Sequence, residues 1–162
     1  MHIYIMRHGQ AEMMGRSDAE RALTALGRLE NEMMASYLAE QNISFDAVLV
    51  SPYVRAQQTW QSVFPYFDSV ENIQTLPFLT PGGSARESVN EILALQAAGV
   101  DRLLIVSHLP LVGYIVGELA PEAGVPAFST SAVGVVELDD SGFGILHSLT
   151  SVAQLPDQVK SI

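Results

Sequence analysis

The chain has 162 residues, no cysteine and a formal net charge of −10, and 48% of its residues are hydrophobic. This length predicts a single domain over residues 1–162 with a substantial core, and the missing cysteines exclude disulfides, thiolate catalysis and cysteine-ligated zinc. The acidic balance argues against nucleic acid as a partner, because phosphate backbones are bound by a surplus of Lys and Arg. We expect no membrane span and no signal peptide, and therefore a cytoplasmic location.

Arginine dominates the few positive charges of the chain, since seven of the eight cations are Arg. Arg suits bidentate recognition of phosphate or carboxylate. Five arginines lie in the first third of the chain, at positions 7, 16, 21, 28 and 55. We expect Arg16 and Arg28 to lie on solvated surfaces. A local arginine cluster in an acidic protein indicates one pocket for an anion.

The first predicted strand covers residues 2–6, which are short, mostly apolar and β-prone. Arg7, His8 and Gly9 follow it directly, where open α/β sheets place their ligand crevice. We expect Gly9 to allow a tight exit of the backbone from the strand. A polar loop over residues 10–23 comes next, and long loops in compact domains are often functional.

The first predicted helix runs from Ala25 to Gln41, with Thr24 as its N-cap. Apolar side chains recur along it at spacings of three and four, which predicts one buried face. The residues of this predicted face are Leu26, Leu29, Met33, Tyr37 and Leu38.

The second predicted strand covers residues 46–50 and is apolar throughout, as in a parallel sheet. Ser51 is predicted to cap the next helix, with Pro52 at its first position. Arg55 lies in the first turn of that helix, where its charge opposes the helix dipole but lies close to any bound anion.

The remaining pattern continues the alternation of strand and helix. The most apolar strand leads directly to His108, so a histidine again stands at a strand end. Two final strands predict a hairpin, and we expect the last dozen residues to form a surface tail. In order, the predicted elements are an extended segment over 73–79, a helix over 85–98 capped by Ser84, a strand over 102–108, a helix over 110–119, and strands over 132–138 and 143–149.

This order of elements predicts an α/β fold, a three-layer α/β/α sandwich with a mostly parallel sheet and an antiparallel edge strand. Three strand ends then carry Arg7 with His8, Arg55, and His108. Such a group fits phosphoryl transfer, because an unprotonated imidazole is a nucleophile and guanidinium groups neutralise phosphate. No metal is expected, since two histidines without carboxylate or Cys companions make a poor metal site.

Three motifs resemble those of the histidine phosphatase (phosphoglycerate mutase-like) superfamily. Arg7-His8-Gly9 resembles its signature, residues 51–59 (SPYVRAQQT) resemble its Ser-x-x-x-Arg-x-x-x-Thr segment, and residues 106–108 (VSH) resemble the segment of its second catalytic His. The resemblance implies a phosphoglycerate mutase-like fold and His8 as the phosphorylated nucleophile. It also implies that Arg7, Arg55 and His108 are catalytic.

Further segments are similar to the SixA-type phosphohistidine phosphatases of that superfamily. This similarity implies a metal-independent, cofactor-free enzyme that dephosphorylates phosphohistidine on signalling or phosphocarrier proteins. Its substrate would be a histidine-phosphotransfer domain or a phosphocarrier protein, and a monomer is the default expectation. Arg21 and Asp18 are expected to contact the substrate. The similar segments are Asp18, Arg21, residues 23–24 (LT), residues 79–81 (LTP) and residues 107–114 (SHLPLVGY).

One departure from the superfamily concerns the general acid. Many members place a Glu shortly after the third strand, where this chain has residues 77–81 (PFLTP). Phosphate esters leave as alkoxides that need a proton, whereas phosphohistidine leaves as an imidazole. The missing Glu therefore favours an N-phosphorylated substrate, with Asp18 and Glu87 left open as alternative acids.

The mutases and large acid phosphatases of the superfamily carry insertions that cover the pocket, whereas the segment between Arg55 and His108 is short here. The resemblance therefore implies an open site that a protein surface can approach. Two alternatives remain, a small-molecule phosphomonoesterase of the same superfamily and a non-catalytic phosphate-binding module. His2 and His147 are assigned no role.

Overall fold

The computed structural model describes residues 1–67 and 69–161. Its strands are β1 His2–Arg7, β2 Ala47–Val50, β3 Asn72–Thr75, β4 Arg102–Ser107, β5 Val133–Leu138 and β6 Gly144–Thr150. Its α-helices are α1 Ala25–Ala39, α2 Val54–Val63, α3 Ala85–Ala97, α4 Leu111–Leu119 and α5 Asp157–Lys160. Short 3-10 helices include Asp18–Glu20, Pro77–Leu79 and Val152–Gln154.

All six strands form one sheet in the order β3-β2-β4-β1-β5-β6. The first four strands pair in parallel, whereas β5 runs antiparallel to β1 and pairs with β6 as a hairpin. The predicted α/β sandwich is confirmed. Because β1 and β4 are neighbours and Arg7 pairs with Ser107, the residues that follow these two strands lie side by side.

Helices cover both faces of the sheet, and alternate strand residues point to opposite layers. Ile3 and Ile5 of β1 pack in the layer of α3 and α4. Tyr4 and Met6 pack in the layer of α1 and α2. In the part of the chain that the structure describes, no helix combines the length and the hydropathy needed to cross a membrane.

Two of the three predicted helix caps are present. Thr24 Oγ1 accepts a hydrogen bond from the Gly27 N–H at 2.9 Å, and Ser84 Oγ accepts one from the Glu87 N–H at 3.0 Å. The prediction that Ser51 caps α2 is wrong, because α2 begins only at Val54. The Ser51 hydroxyl instead contacts a histidine, as described below.

The buried face of α1 differs from the predicted one. It consists of Gly27, Asn31, Met34, Ala35 and Leu38, whereas Leu26 is 49% exposed. The reason is that the chain after β1 passes close to α1. A glycine is needed there at position 27, and the Asn31 amide forms hydrogen bonds at the same surface. Hydrophobic periodicity does not detect such contacts.

The C-terminal segment is not the expected surface tail. Val152, Leu155 and Val159 are buried in the layer formed by α1 and α2. Their spacing of three and four residues lets one side of the segment cover this layer, while the residues between them stay exposed or partly exposed.

Gly27 is required where α1 meets the main chain of Gln10. A Cβ at Gly27 would lie 2.2 Å from the Gln10 carbonyl oxygen. Ala is the better helix former by about 1 kcal/mol, but this clash with backbone outweighs that gain. We expect Gly27→Ala to lower the free energy of unfolding by about 1–3 kcal/mol, measured by urea denaturation.

The matched control for this substitution is Gly82→Ala, whose Cβ would meet nothing within 4 Å. We expect this control to stay within about 0.5 kcal/mol of the parent chain. Equal unfolding midpoints for the two variants would contradict the close-packing argument.

Candidate active site

A cavity of about 310 Å³ lies at the carboxyl ends of the parallel strands. Five of the six residues singled out from the sequence line it, whereas Asp18 does not. Its lining consists of Arg7, His8, Gln10, Ala11, Arg21, Arg55, Pro81, His108, Leu109 and Thr130.

His8 is 7% exposed and follows β1 directly. Its Nδ1 lies 2.7 Å from the Gly9 carbonyl oxygen, so Nδ1 carries the hydrogen and donates it. Its Nε2 lies 3.3 Å from Arg55 Nε, whose N–H it accepts. Nε2 therefore keeps the lone pair and is the nitrogen available for nucleophilic attack.

The charge state of His8 follows from its surroundings. The pKa of His8 is lowered to about 4, mainly by burial. The hydrogen bond to the Gly9 carbonyl opposes this shift, whereas the positive charges of Arg55, Arg7 and Arg21 add to it. The imidazole is therefore neutral at pH 7, the state that a nitrogen nucleophile requires.

Gly9 is needed because of close packing and not because of its φ angle. A Cβ at this position would lie 2.8 Å from both Asn31 Nδ2 and the Gly27 carbonyl oxygen. The expected tight exit from β1 is therefore a close approach to α1.

Arg55 is 3% exposed, and Asp18 of the loop over residues 10–23 holds its side chain. Its Nη1 donates to the Asp18 carbonyl at 2.6 Å, and its Nη2 donates to Asp18 Oδ2 at 3.1 Å. The guanidinium also lies 5.1 Å from the centre of the Tyr53 ring. These contacts leave Arg55 Nε directed at His8.

Arg7 contributes a second guanidinium. Its Nη1 donates to the Phe128 carbonyl at 2.9 Å, while its buried Nε has no partner among the described residues. Burial lowers the pKa of Arg7, and the positive charge of Arg55 adds to that effect. A half-buried cation that has no carboxylate partner among the described residues suits an anionic ligand.

Asp18 contacts the arginines of the site instead of lining the cavity. Arg21 donates to its Oδ1 through Nε at 2.9 Å, and the Arg21 Nη2 lies 2.9 Å from the same oxygen. The hydrogen bond from Arg55 is the main reason that the pKa of Asp18 lies below its usual value. Asp18 therefore stays ionised and orients two cations.

His108 faces His8 across the cavity, with 5.0 Å between ring centres. Its Nε2 lies 2.7 Å from Ser51 Oγ, which accepts the Tyr53 N–H at 3.2 Å. Ser51 Oγ still has its hydrogen and one lone pair for His108 Nε2, and the tautomer in which the Ser51 hydroxyl donates places the His108 hydrogen on Nδ1. That Nδ1 is buried without a partner among the described residues.

Burial is the main cause that lowers the pKa of His108, to about 2, and His8 and Arg55 lower it further. His108 is therefore neutral, and in the tautomer with its hydrogen on Nδ1 it is a donor toward the cavity. Sequence reasoning missed the part of Ser51 in this arrangement, because a Ser-Pro pair after a strand is also a common helix start.

None of the lining residues in the described part of the chain carries a carboxylate. Glu87 is exposed in the first turn of α3 and lies outside the lining. The arrangement therefore offers one nitrogen nucleophile and several fixed donors to a tetrahedral anion. Sequence reasoning missed the lining residues Gln10, Ala11 and Thr130, whereas Pro81 and Leu109 belong to the segments 79–81 and 107–114 that were noted for their similarity but given no role.

Comparison with known proteins gives a consistent picture. The family model of the histidine phosphatase superfamily (branch 1) matches residues 3–79. Over 147 residues, 91% of each chain, the sequence is 43% identical to phosphohistidine phosphatase SixA of Escherichia coli (strain K12). It is 39% identical to a SixA homolog of Haemophilus influenzae, over 96% of this chain and 99% of the relative.

A solved structure of the protein histidine phosphatase SixA complexed with tungstate superposes on this chain with a TM-score of 0.93. The sequence identity is 41%, and the match covers 96% of this chain and 100% of the other. From this agreement in sequence, length and fold, we conclude that the chain belongs to the histidine phosphatase superfamily and, within it, to the SixA family.

Proposed function

We propose that this chain is a metal-independent phosphatase that removes the phosphoryl group from phosphohistidine on proteins, through a phosphorylated His8. The observation that carries the proposal is the neutral His8 Nε2, which accepts from Arg55 inside a cavity lined by three arginines. The substrate class is supported by the SixA phosphatases to which the chain is 43% and 39% identical.

In the first step, the phosphoryl oxygens bind the guanidinium groups of Arg7, Arg55 and Arg21 and the Nδ1–H of His108. Arg55 Nε then turns its hydrogen from His8 to a phosphoryl oxygen. His8 Nε2 attacks phosphorus in line, and the bond between phosphorus and the substrate imidazole breaks. The electron pair of that bond leaves with the substrate imidazole, which takes up one proton from solvent and departs as a neutral ring, while the hydrogen of His8 stays on Nδ1.

In the second step, water attacks the phosphorus on His8 and releases inorganic phosphate. The electron pair of the broken P–N bond returns to His8 Nε2, which restores the starting state. The positive groups stay in place through both steps and stabilise the charge that spreads over the phosphoryl oxygens in each transition state.

The absence of a lining carboxylate supports an N-phosphorylated substrate over a phosphate ester. Asp18 is ion-paired with Arg21 and Arg55, so it is a poor proton donor, and Glu87 lies outside the lining. Transfer between two imidazoles exchanges similar bonds and needs little proton donation, unlike the departure of an alkoxide. This argues against the alternative of a small-molecule phosphomonoesterase.

The alternative of a non-catalytic phosphate-binding module would not need an oriented nucleophile, which His8 supplies. We further propose a histidine-phosphotransfer domain or a phosphocarrier protein as the substrate. The monomer stays a prediction. The cytoplasmic location stays a prediction.

The function is tested by phosphate release from a phosphorylated histidine-phosphotransfer protein, run beside p-nitrophenyl phosphate with EDTA present. We expect fast loss from the phosphoprotein, slow hydrolysis of the ester and no effect of EDTA. His8→Ala should abolish turnover, because it removes the nitrogen that attacks phosphorus. His147→Ala, at an exposed histidine of the hairpin, is the matched control and should stay active.

Two results of this assay would contradict the proposal. Fast hydrolysis of the ester beside an inert phosphoprotein would assign a different substrate class. Full activity of His8→Ala would exclude the phosphorylated intermediate.

Arg55 is expected to stabilise the transition state, because its Nε already contacts the attacking nitrogen. Arg55→Ala should lower kcat by about 100- to 1,000-fold, as for the loss of one oxyanion donor. Steady-state kinetics on the phosphoprotein measures this effect. Arg86→Ala, at an exposed arginine of α3, is the control, and an equal loss in both variants would exclude a specific role for Arg55.

The pH dependence follows from the lowered pKa of His8, which is about 4 in the free protein. Protonated Nε2 cannot attack, so kcat/KM should stay level from pH 8 to about 5 and fall below pH 4 to 5. The measurement is single-turnover phosphate release, corrected for loss without enzyme. A fall centred near pH 6.5, the value of an exposed imidazole, would show that His8 is not shielded.

A further inference from the structure

Asn31 is a fully buried polar residue in the middle of α1, with 0% exposure, and the mechanism above does not use it. Its Oδ1 accepts the hydroxyl of Ser131 at 2.7 Å. Its Nδ2 donates to Thr59 Oγ1 at 3.2 Å. Thr59 and Ser131 are also 0% exposed, so these bonds are shielded from water.

Thr59 and Ser131 hold the two ends of one peptide group, which joins His8 to Gly9. The Gly9 N–H donates to Thr59 Oγ1 at 3.0 Å, and the His8 carbonyl accepts the Ser131 N–H at 3.2 Å. Asn31 joins these two partners to each other. A closed ring of hydrogen bonds therefore surrounds the peptide next to the nucleophile.

The hydroxyl of Thr59 is fully used in this ring. Thr59 Oγ1 accepts from Gly9 and Asn31 and donates its own hydrogen to the Arg55 carbonyl at 2.8 Å. This uses its complete capacity of one donated and two accepted bonds. The Asn31 amide is thereby oriented with nitrogen toward Thr59 and oxygen toward Ser131.

The same ring of hydrogen bonds also reaches Arg55, whose side chain contacts His8 Nε2. Arg55, whose carbonyl is bonded by Thr59, donates through Nε to His8 Nε2. Asn31 also packs directly on Gly9, since a Cβ there would lie 2.8 Å from Asn31 Nδ2. The main chain at Gly9 therefore has no room to shift toward α1.

We propose that Asn31 is a positioning residue for His8. It holds the His8–Gly9 peptide so that Nδ1 meets the Gly9 carbonyl and Nε2 faces the phosphoryl group. This inference rests on the proposed phosphoryl transfer to His8. Small displacements of a nucleophile cost rate, because attack requires a narrow range of distance and angle, whereas substrate binding depends on the arginines.

The test is Asn31→Ala, which removes both side-chain bonds of the ring. We expect kcat on the phosphoprotein to fall about ten- to a hundredfold, with KM changed by less than about twofold. We also expect the His8 nitrogen signals in NMR spectra to move from a single Nδ1–H tautomer to a mixture. A merely structural role would lower the unfolding midpoint without moving these signals.

Two further variants make the test specific. Ser88→Ala removes a buried hydroxyl of α3 that donates to the Ser84 carbonyl at 2.7 Å, outside the cavity lining, and should leave kcat unchanged. Ser131→Ala removes the bond to Asn31 but keeps the backbone N–H that holds His8. It should lower kcat less than Asn31→Ala, and it keeps the inference testable if Asn31→Ala does not fold.

Parent values of kcat and unmoved His8 nitrogen signals in the folded ring variants would overturn the inference. Absence of turnover in the parent chain would overturn the proposed function instead. In that case the His8 nitrogen signals of the variants would still decide whether Asn31 positions the imidazole.

Discussion

The hydrogen bond from His8 Nδ1 to the Gly9 carbonyl decides which nitrogen of the ring keeps a free lone pair. It holds the hydrogen on Nδ1, and burial keeps the ring unprotonated, so Nε2 has a free lone pair at neutral pH. Both effects depend on the path of the chain after β1. That path is set by close packing of Gly9 on α1 and by the pairing of β1 with β4.

Burial of positive charge is the second constraint on this site. Arg7 and Arg55 are held by carbonyl groups and by the exposed Asp18, and no carboxylate enters the lining among the described residues. The loss of surrounding water and the positive charges of these arginines both lower the pKa values of His8 and His108, so both imidazoles are neutral. One physical arrangement therefore leaves two neutral imidazoles beside uncompensated positive charge.

The alternation of apolar strands and amphipathic helices was sufficient to predict the α/β sandwich, because each pattern depends on local spacing. The positions of Arg7, His8 and His108 could be predicted for the same reason, since all three stand where buried strands end. Thr24 and Ser84 were predicted as caps because a cap bonds only to its own helix. Their expected chemistry followed from residue type, and the catalytic roles stay predictions.

Local sequence patterns were enough to predict the order of the elements, the strand ends that carry ionisable groups and the missing carboxylate after the third strand. The tertiary structure was needed to show that Ser51 contacts His108 and that Asn31 lies on the buried face of α1. It also decided that the C-terminal segment packs on the core. In sequence, Ser51 lies 57 positions from His108, and Asn31 lies 28 positions from Thr59 and 100 positions from Ser131. Local periodicity carries no information about such partners, because they meet only when the sheet and its helices are assembled.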